Sequence, residues 1–329
     1  MKIAYIISAY KYPEQLIRLV DRLNAEATSF FVHVDKKSDD RIYQQMVDGL
    51  SSFPNVYFLK RHRCYWGDFG HVNATLKGIQ EIFKRDIAFD WLILLTGQDY
   101  PIKSNSQIER FLHENQGKSF MEYFPLPRSD SSKGLPKWPN GGFDRLNYWH
   151  FCLFDTRFVF PGKRKLNTYY AHFVQPTINV RIISALWFSF VFWVPIKRKF
   201  PQGFKPFGGS SYWCLSKECV EYIYNFIQQN PRFVSFFKYV DIPDEMFFQT
   251  IILNSPFKES VINDTLKYED WENPTPNLPS ILFKNDFGKL QNSSKLFARK
   301  FDITRNADIL DMIDQKILNI DNSASMGKH

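Results

Sequence analysis

Apolar runs of strand length alternate with amphipathic helical stretches through the first third of the chain. Residues 3–8 read as a buried strand. Residues 14–24 follow as a helix, with Leu16, Leu19, Val20 and Leu23 on one face. Residues 30–34, 56–59 and 91–95 read as further strands, and 41–50 and 71–84 as helices. The segment 91–95 is hydrophobic throughout, as a parallel strand covered on both faces should be. Repeated strand–helix units predict an α/β fold on an open sheet with a Rossmann-like N-terminal half. In such sheets ligands bind beyond the carboxyl ends of the strands. Those ends hold Ser8-Ala9-Tyr10, His33-Val34-Asp35, Tyr65-Trp66-Gly67 and Gly97-Gln98-Asp99.

Past residue 118 the pattern loosens. Residues 119–124 and 145–154 read as strands. The stretch 125–142, rich in Pro, Ser, Lys and Gly, reads as a mobile loop. Gly208-Gly209-Ser210 precedes a strand at 211–215, and Ser216 caps a helix reaching about residue 229. Pro243 opens another helix at its first turn, which puts Glu245 at the third position. A last amphipathic helix covers 306–319, and 321–329 read as a disordered tail. With no repeat and no linker, the expectation is a single catalytic domain over 1–320. Its nucleotide-binding half is 1–118 and its acceptor and catalytic half is 119–320.

Composition narrows the function classes. The chain has 329 residues, enough for a substantial core, and 33 of them are Phe. A formal charge of +8 favours an anionic partner. The basic residues are spread out and no nucleic-acid-binding motif is present, so nucleic acid is set aside. None of Cys64, Cys152, Cys214 and Cys219 has zinc-site or redox-pair spacing. A strand begins at once, which predicts no signal peptide and a cytoplasmic protein with reduced thiols. Residues 182–196 carry no charge and are flanked by Arg181 and Lys197-Arg198-Lys199. They are fewer than the roughly 20 residues a spanning helix needs. Two readings stand: a buried segment or pocket wall, and an interfacial element with Trp187 and Trp193 in the lipid. The second would place the protein peripherally on the inner face of the cytoplasmic membrane.

The chemistry is sought at a nucleotide. The chain has no G-x-G-x-x-G and no P-loop. It also lacks an Asp-x-Asp pair to hold a divalent ion on a diphosphate, leaving Asp99 as the lone, weak metal candidate. Without a metal, diphosphate charge must be met by Arg, Lys or backbone N–H groups. Two segments then stand out, Pro243-Asp244-Glu245 and Phe297-Ala298-Arg299-Lys300-Phe301. Taken alone, the first is a helix start with capping carboxylates and the second a surface basic patch.

Together with His33-Val34-Asp35, Trp66-Gly67, Leu94-Leu95-Thr96-Gly97-Gln98-Asp99-Tyr100-Pro101 and Gly208-Gly209-Ser210-Ser211-Tyr212-Trp213, the order resembles the core-2/I-branching glycosyltransferase family. That family contains the mucin β-1,6-N-acetylglucosaminyltransferases and the peptide O-xylosyltransferases. The resemblance implies a GT-A-like mixed sheet and inverting transfer from a UDP-sugar without metal or other cofactor. N-acetylglucosamine is the first choice of sugar and xylose the second. The lack of a Golgi-type anchor suggests a bacterial-type member acting on a glycan acceptor, such as a lipid-linked one, with residues 182–196 near the membrane.

By the same resemblance Glu245 is the catalytic base. Lys300 binds the diphosphate, with Arg299 beside it. Asp35 accepts from the uracil or ribose, and Trp66 packs on the uracil. A turn cap for Asp35 and a core position for Trp66 are the plain alternatives. Tyr10 and Arg63, adjacent to them, are weaker donor-site candidates. Glu122 falls where branching enzymes bind acceptor hydroxyls, Tyr268 and Trp271 where the family places an acceptor-side aromatic, and Arg145 is a further possible contact. Two alternatives belong to other classes: a metal-dependent transferase using Asp99, and a non-catalytic membrane-associated carbohydrate-binding protein. The chain departs from the family in one respect. Branching enzymes carry an additional Arg upstream of the lysine, whereas residues 277–284 contain none. Lys284 or Arg299 is left to supply the second charge.

Overall fold

Buried apolar runs set the frame. The computed structural model describes residues 1–128, 138–153, 156–160, 198–271 and 279–319. The N-terminal elements are β1 (Ile3–Ala9), α1 (Pro13–Leu23), β2 (Thr28–Val34), α2 (Asp40–Gly49), β3 (Val56–Phe58), α3 (Gly70–Lys84) and β4 (Trp91–Thr96). Each matches its expected element to within about two residues, because a buried strand or an amphipathic helix announces its period locally. There follow β5 (Asp99–Pro101), α4 (Asn105–Glu114), β6 (Ser119–Met121), β7 (Phe124–Pro125), α5 (Phe143–Asn147), β8 (Trp149–Leu153) and β9 (Thr156–Phe160). The chain then forms β10 (Phe207–Gly208), β11 (Trp213–Ser216), α6 (Lys217–Gln229), α7 (Pro231–Phe237), α8 (Phe247–Leu253), β12 (Val261–Ile262), β13 (Lys267–Glu269), α9 (Phe287–Gln291), β14 (Phe297–Arg299) and α10 (Asp308–Lys316).

The main sheet runs β12-β6-β11-β4-β1-β2-β3. β1 is parallel to β2 and β4, while β11 is antiparallel to both β4 and β6. The sheet is therefore mixed, and strands from both sides of residue 118 share it. α1, α4 and α10 pack with one apolar cluster and α3, α6, α7 and α8 with another, so the sheet is covered on both faces. A second, three-stranded sheet, β13-β14-β5, delivers the C-terminal basic segment to the end of β4.

Several expectations shift. Residues 145–154 are not one strand: Gly142, at φ 98, turns the chain into α5, and β8 begins only at Trp149. The aromatic run masked this break. Ser216 occupies the N-cap of α6 but makes no side-chain cap bond; its N–H donates to Ser119 Oγ at 3.1 Å. Pro243 opens not an α-helix but the 3-10 turn Pro243–Glu245, and α8 starts after a break at Met246 (φ −141). The apolar stretch 182–196, half of the 125–142 loop (129–137) and the tail 321–329 lie outside the described residues.

Candidate active site

The carboxyl ends of β1, β2 and β4 meet the end of β14. Asp35 N–H donates to Ala9 O, Gly97 N–H to Ser8 O, and Phe301 N–H to Gln98 O, each at 2.9 Å. Sequence positions far apart are thus stitched together where an open α/β sheet binds ligands.

Glu245 hangs on a strained turn. Ile242 sits in the left-handed region at φ 49, a position a β-branched side chain rarely adopts. Its N–H donates to Gly67 O at 3.0 Å, tying the turn to the Trp66 loop. Such strain persists only where the surroundings enforce it, and it concentrates at functional sites. The carboxylate is 30% exposed, and Arg145 Nη1 donates to its Oε2 at 2.6 Å. Arg145 itself is buried, its guanidinium 3.5 Å from the centre of the Trp138 ring. Burial pushes the Glu245 carboxyl above the usual range, against the pull of Arg145. A base so tuned operates nearer neutral pH. Asp244 faces elsewhere: Ser211 Oγ donates to its Oδ2 at 2.8 Å.

Arg145 was expected to touch acceptor. Its observed partner is Glu245, whose carboxylate it holds in place and whose charged form it favours. Removing its charge in Arg145→Met is expected to raise the Glu245 pKa further. Glu245 must be ionised to accept a proton, so the acid limb of a kcat/KM profile should move to higher pH. An unmoved limb with unchanged activity would show that the ion pair does not tune Glu245.

The backbone of Glu122 lies against the same turn. A Cβ on Gly209 would sit 1.8 Å from Glu122 O, so only glycine fits, and Gly209 N–H donates to Glu245 O at 2.9 Å. Burial also raises the Glu122 carboxyl, and its charge in turn acts on Glu245. Tyr268 is placed differently. Lys267 and Glu269 direct their side chains towards Asp99 and Arg299. Tyr268 between them alternates to the other face and packs on the core. Trp271 is half-buried at the edge of the described chain. Tyr268 therefore turns its ring away from the Asp99–Arg299 side of that sheet.

On the donor side, Asp35 Oδ1 accepts from the N–H groups of Lys37 (2.9 Å) and Cys64 (3.3 Å). This carboxylate therefore does cap a turn, while 13% of its side chain stays exposed at the sheet edge. Trp66 is not a core residue: it is 59% exposed, with the Arg157 guanidinium 4.8 Å from its ring centre. Tyr10 is half-exposed and donates to Gln98 Oε1 at 3.2 Å; Arg63 is exposed. Beside this loop opens a cavity of about 380 Å³, lined by His62, Arg63, Gly67, Arg157 and Lys238 among others. Beneath it the His33 and His62 rings meet at 2.9 Å near Cys64, with Lys77 Nζ 3.1 Å from His62 Nδ1. Burial first, then the neighbouring charges, push His33 down to about 3, so it is neutral.

Arg299 and Asp99 belong to one buried network. Asp99 is fully buried; its Oδ2 accepts from Lys267 Nζ at 2.7 Å and its Oδ1 from Arg299 Nη1 at 3.2 Å. Glu269 lies 3.8 Å from Arg299 Nε, and the Tyr212 ring packs on both cations. With its oxygens held by two cations and the Thr96 N–H, Asp99 is not an open metal ligand, which corrects that candidate. The partner Lys267 was missed because it lies 168 residues from Asp99. Lys300, by contrast, is half-buried with no carboxylate in ion-pair reach among the described residues. Lys284 is exposed on the turn Lys284–Asp286.

The family model for the Core-2/I-Branching enzyme matches residues 3–141 and 156–291, and the chain belongs to that family. Lys300 lies just beyond the matched residues. Xylosyltransferase 2 of Rattus norvegicus and of Canis lupus familiaris are each 26% identical to it, over 95% of this chain and 33% of theirs. Xylosyltransferase 1 of Canis lupus familiaris is 22% identical, over 95% of this chain and 30% of its own. The chain spans about a third of the length of the curated relatives it matches. A solved structure from Bacillus anthracis, described as a glucose-1-phosphate thymidylyltransferase, covers 67% of this chain and 74% of its own. At 11% identity and a TM-score of 0.29 it carries no argument.

Proposed function

We propose that this chain is an inverting glycosyltransferase of GT-A type that moves a sugar from UDP to a glycan hydroxyl without a divalent metal. The observation that carries the reading is Glu245, a partly buried carboxylate 2.6 Å from Arg145 on a turn tied to the Trp66 loop. In this reading Glu245 takes the proton of the acceptor hydroxyl as its oxygen attacks the anomeric carbon of the α-linked donor. The bond from that carbon to the β-phosphate oxygen breaks and its electron pair leaves with UDP. Lys300, with Arg299 behind it, meets the growing charge, and the product is β-linked. Asp35 and Trp66 hold the nucleoside, with Tyr10 and Arg63 flanking it. Glu122 orients the acceptor, and Trp271 is an outer contact.

N-acetylglucosamine is the donor sugar that the motif resemblance puts first. The names of the curated relatives favour a second reading, xylose. A lipid-linked acceptor and membrane contact through 182–196 complete the proposal. Among the described residues no helix is long and apolar enough to cross a membrane.

Thermal unfolding with UDP, UDP-N-acetylglucosamine and UDP-xylose, with and without excess EDTA, tests the donor side. A ligand that binds only the folded state raises the transition. The expected result is an upward shift with UDP and with one UDP-sugar that survives EDTA. A shift abolished by EDTA overturns metal independence, and no shift with any of them overturns the nucleotide.

A further inference from the structure

Lys11 was not singled out by any motif. It follows β1, and the segment around it is fastened to the segment around Lys300. Tyr10 Oη donates to Gln98 Oε1 at 3.2 Å, and Gln98 Nε2 donates to Phe301 O at 3.1 Å. Tyr12 Oη donates to Asp302 Oδ2 at 2.7 Å, and Gln15 Nε2 donates to Phe301 O at 3.3 Å. The residues either side of Lys11 thus bond to the two that follow Lys300, or to their bridge. Tyr12 itself is held in the left-handed region at φ 57, a strained conformation for a non-glycine residue.

The Lys11 side chain is laid out by aromatic rings. Its ammonium lies 4.2 Å from the centre of the Tyr12 ring and 5.2 Å from that of Tyr10, and donates to Tyr12 Oη at 2.9 Å. Among the described residues no carboxylate makes a direct ion pair with it; the Asp302 carboxylate reaches it through Tyr12 Oη. Burial first, then the charges of Arg299 and Lys11, pull the Lys300 ammonium below its ordinary value. Two ammonium groups therefore lie close enough to repel at one edge of the sheet, with the Asp302 carboxylate acting on both but, among the described residues, ion-paired to neither. Asp35 lies alongside: Ser38 Oγ, three residues past it, donates to Tyr10 O at 2.7 Å. Of the other candidates for a second charge, Arg299 is committed to Asp99 and Glu269, and Lys284 is exposed on its turn.

We propose that Lys11 and Lys300 form a two-lysine clamp for a nucleoside diphosphate, with Lys11 supplying the charge that an upstream Arg supplies elsewhere in the family. This rests on the nucleotide reading above. An anion bridging the two ammonium groups would relieve their repulsion and gain charge-assisted hydrogen bonds.

Calorimetric titration of the full chain with UDP and with uridine decides it. In Lys11→Met, which keeps the apolar stem on the tyrosines, UDP affinity should fall roughly tenfold or more while uridine affinity stays put. Lys11→Arg should restore most of the UDP affinity. Should Lys11→Met unfold at a lower temperature than wild type, Lys11→Gln takes its place. Unchanged UDP affinity in a folded variant, or equal losses for UDP and uridine, overturns the clamp. If wild type binds neither UDP nor uridine, the nucleotide reading itself falls, and the clamp with it.

Discussion

Glu245→Gln is expected to lower turnover by roughly 10²–10⁴-fold, the usual worth of a general base, with UDP affinity close to that of wild type. The substitution keeps the side chain's shape, and the amide oxygen can still accept from Arg145. What it removes is the capacity to take a proton. A group needed only in the transition state lowers kcat and kcat/KM together. Asp244→Asn provides the contrast. That carboxylate is held by Ser211 and only adds to the upward push on Glu245, so its loss should leave turnover within an order of magnitude. A Glu245→Gln enzyme with near-normal turnover, or an Asp244 variant as damaged as Glu245→Gln, would show that the wrong carboxylate has been chosen. Either is read from initial rates of UDP release.

Asp99→Ala is expected to be the most destabilising single change in the region. The carboxylate is fully buried, and the Lys267 side chain is 2% exposed. Its removal leaves two cations with Glu269 as their remaining near acid. Breaking a buried ion pair from one side costs about 3–5 kcal/mol, because the partner charge stays buried. For a chain of this size that lowers the unfolding midpoint by about 4–7 °C, measurable by differential scanning calorimetry. A midpoint unchanged by Asp99→Ala would mean that this carboxylate is solvated, and would reopen it as a metal ligand. The same network meets the Arg299 charge from Asp99 and Glu269, which is why the proposed mechanism gives Lys300 the leading part.

How legible this was depends on the range of the interactions involved. The elements up to residue 96 follow from local periodicity, and each lies near its expected bounds. The short strands β5, β13 and β14 have only three residues apiece, too few to show alternation. They are defined by pairing across the chain. Proline at the start of Pro243–Glu245 correctly signals a helical turn. It does not say whether the turn is α or 3-10. That is decided by Ile242 in the left-handed region and by Met246, which breaks the path into α8. Nothing in Ser8-Ala9-Tyr10-Lys11 marks Lys11 in the sequence; its neighbourhood with Lys300 arises only from the bonds of Tyr10 to Gln98 and of Tyr12 to Asp302.

The most direct test of the account follows the anomeric proton by NMR as the chain turns over an α-linked UDP-sugar in excess EDTA, with glycan or water as acceptor. The account predicts that UDP is released and that the first-formed product has the β configuration, before any mutarotation. An α product, or activity that EDTA removes and a divalent ion restores, would contradict it.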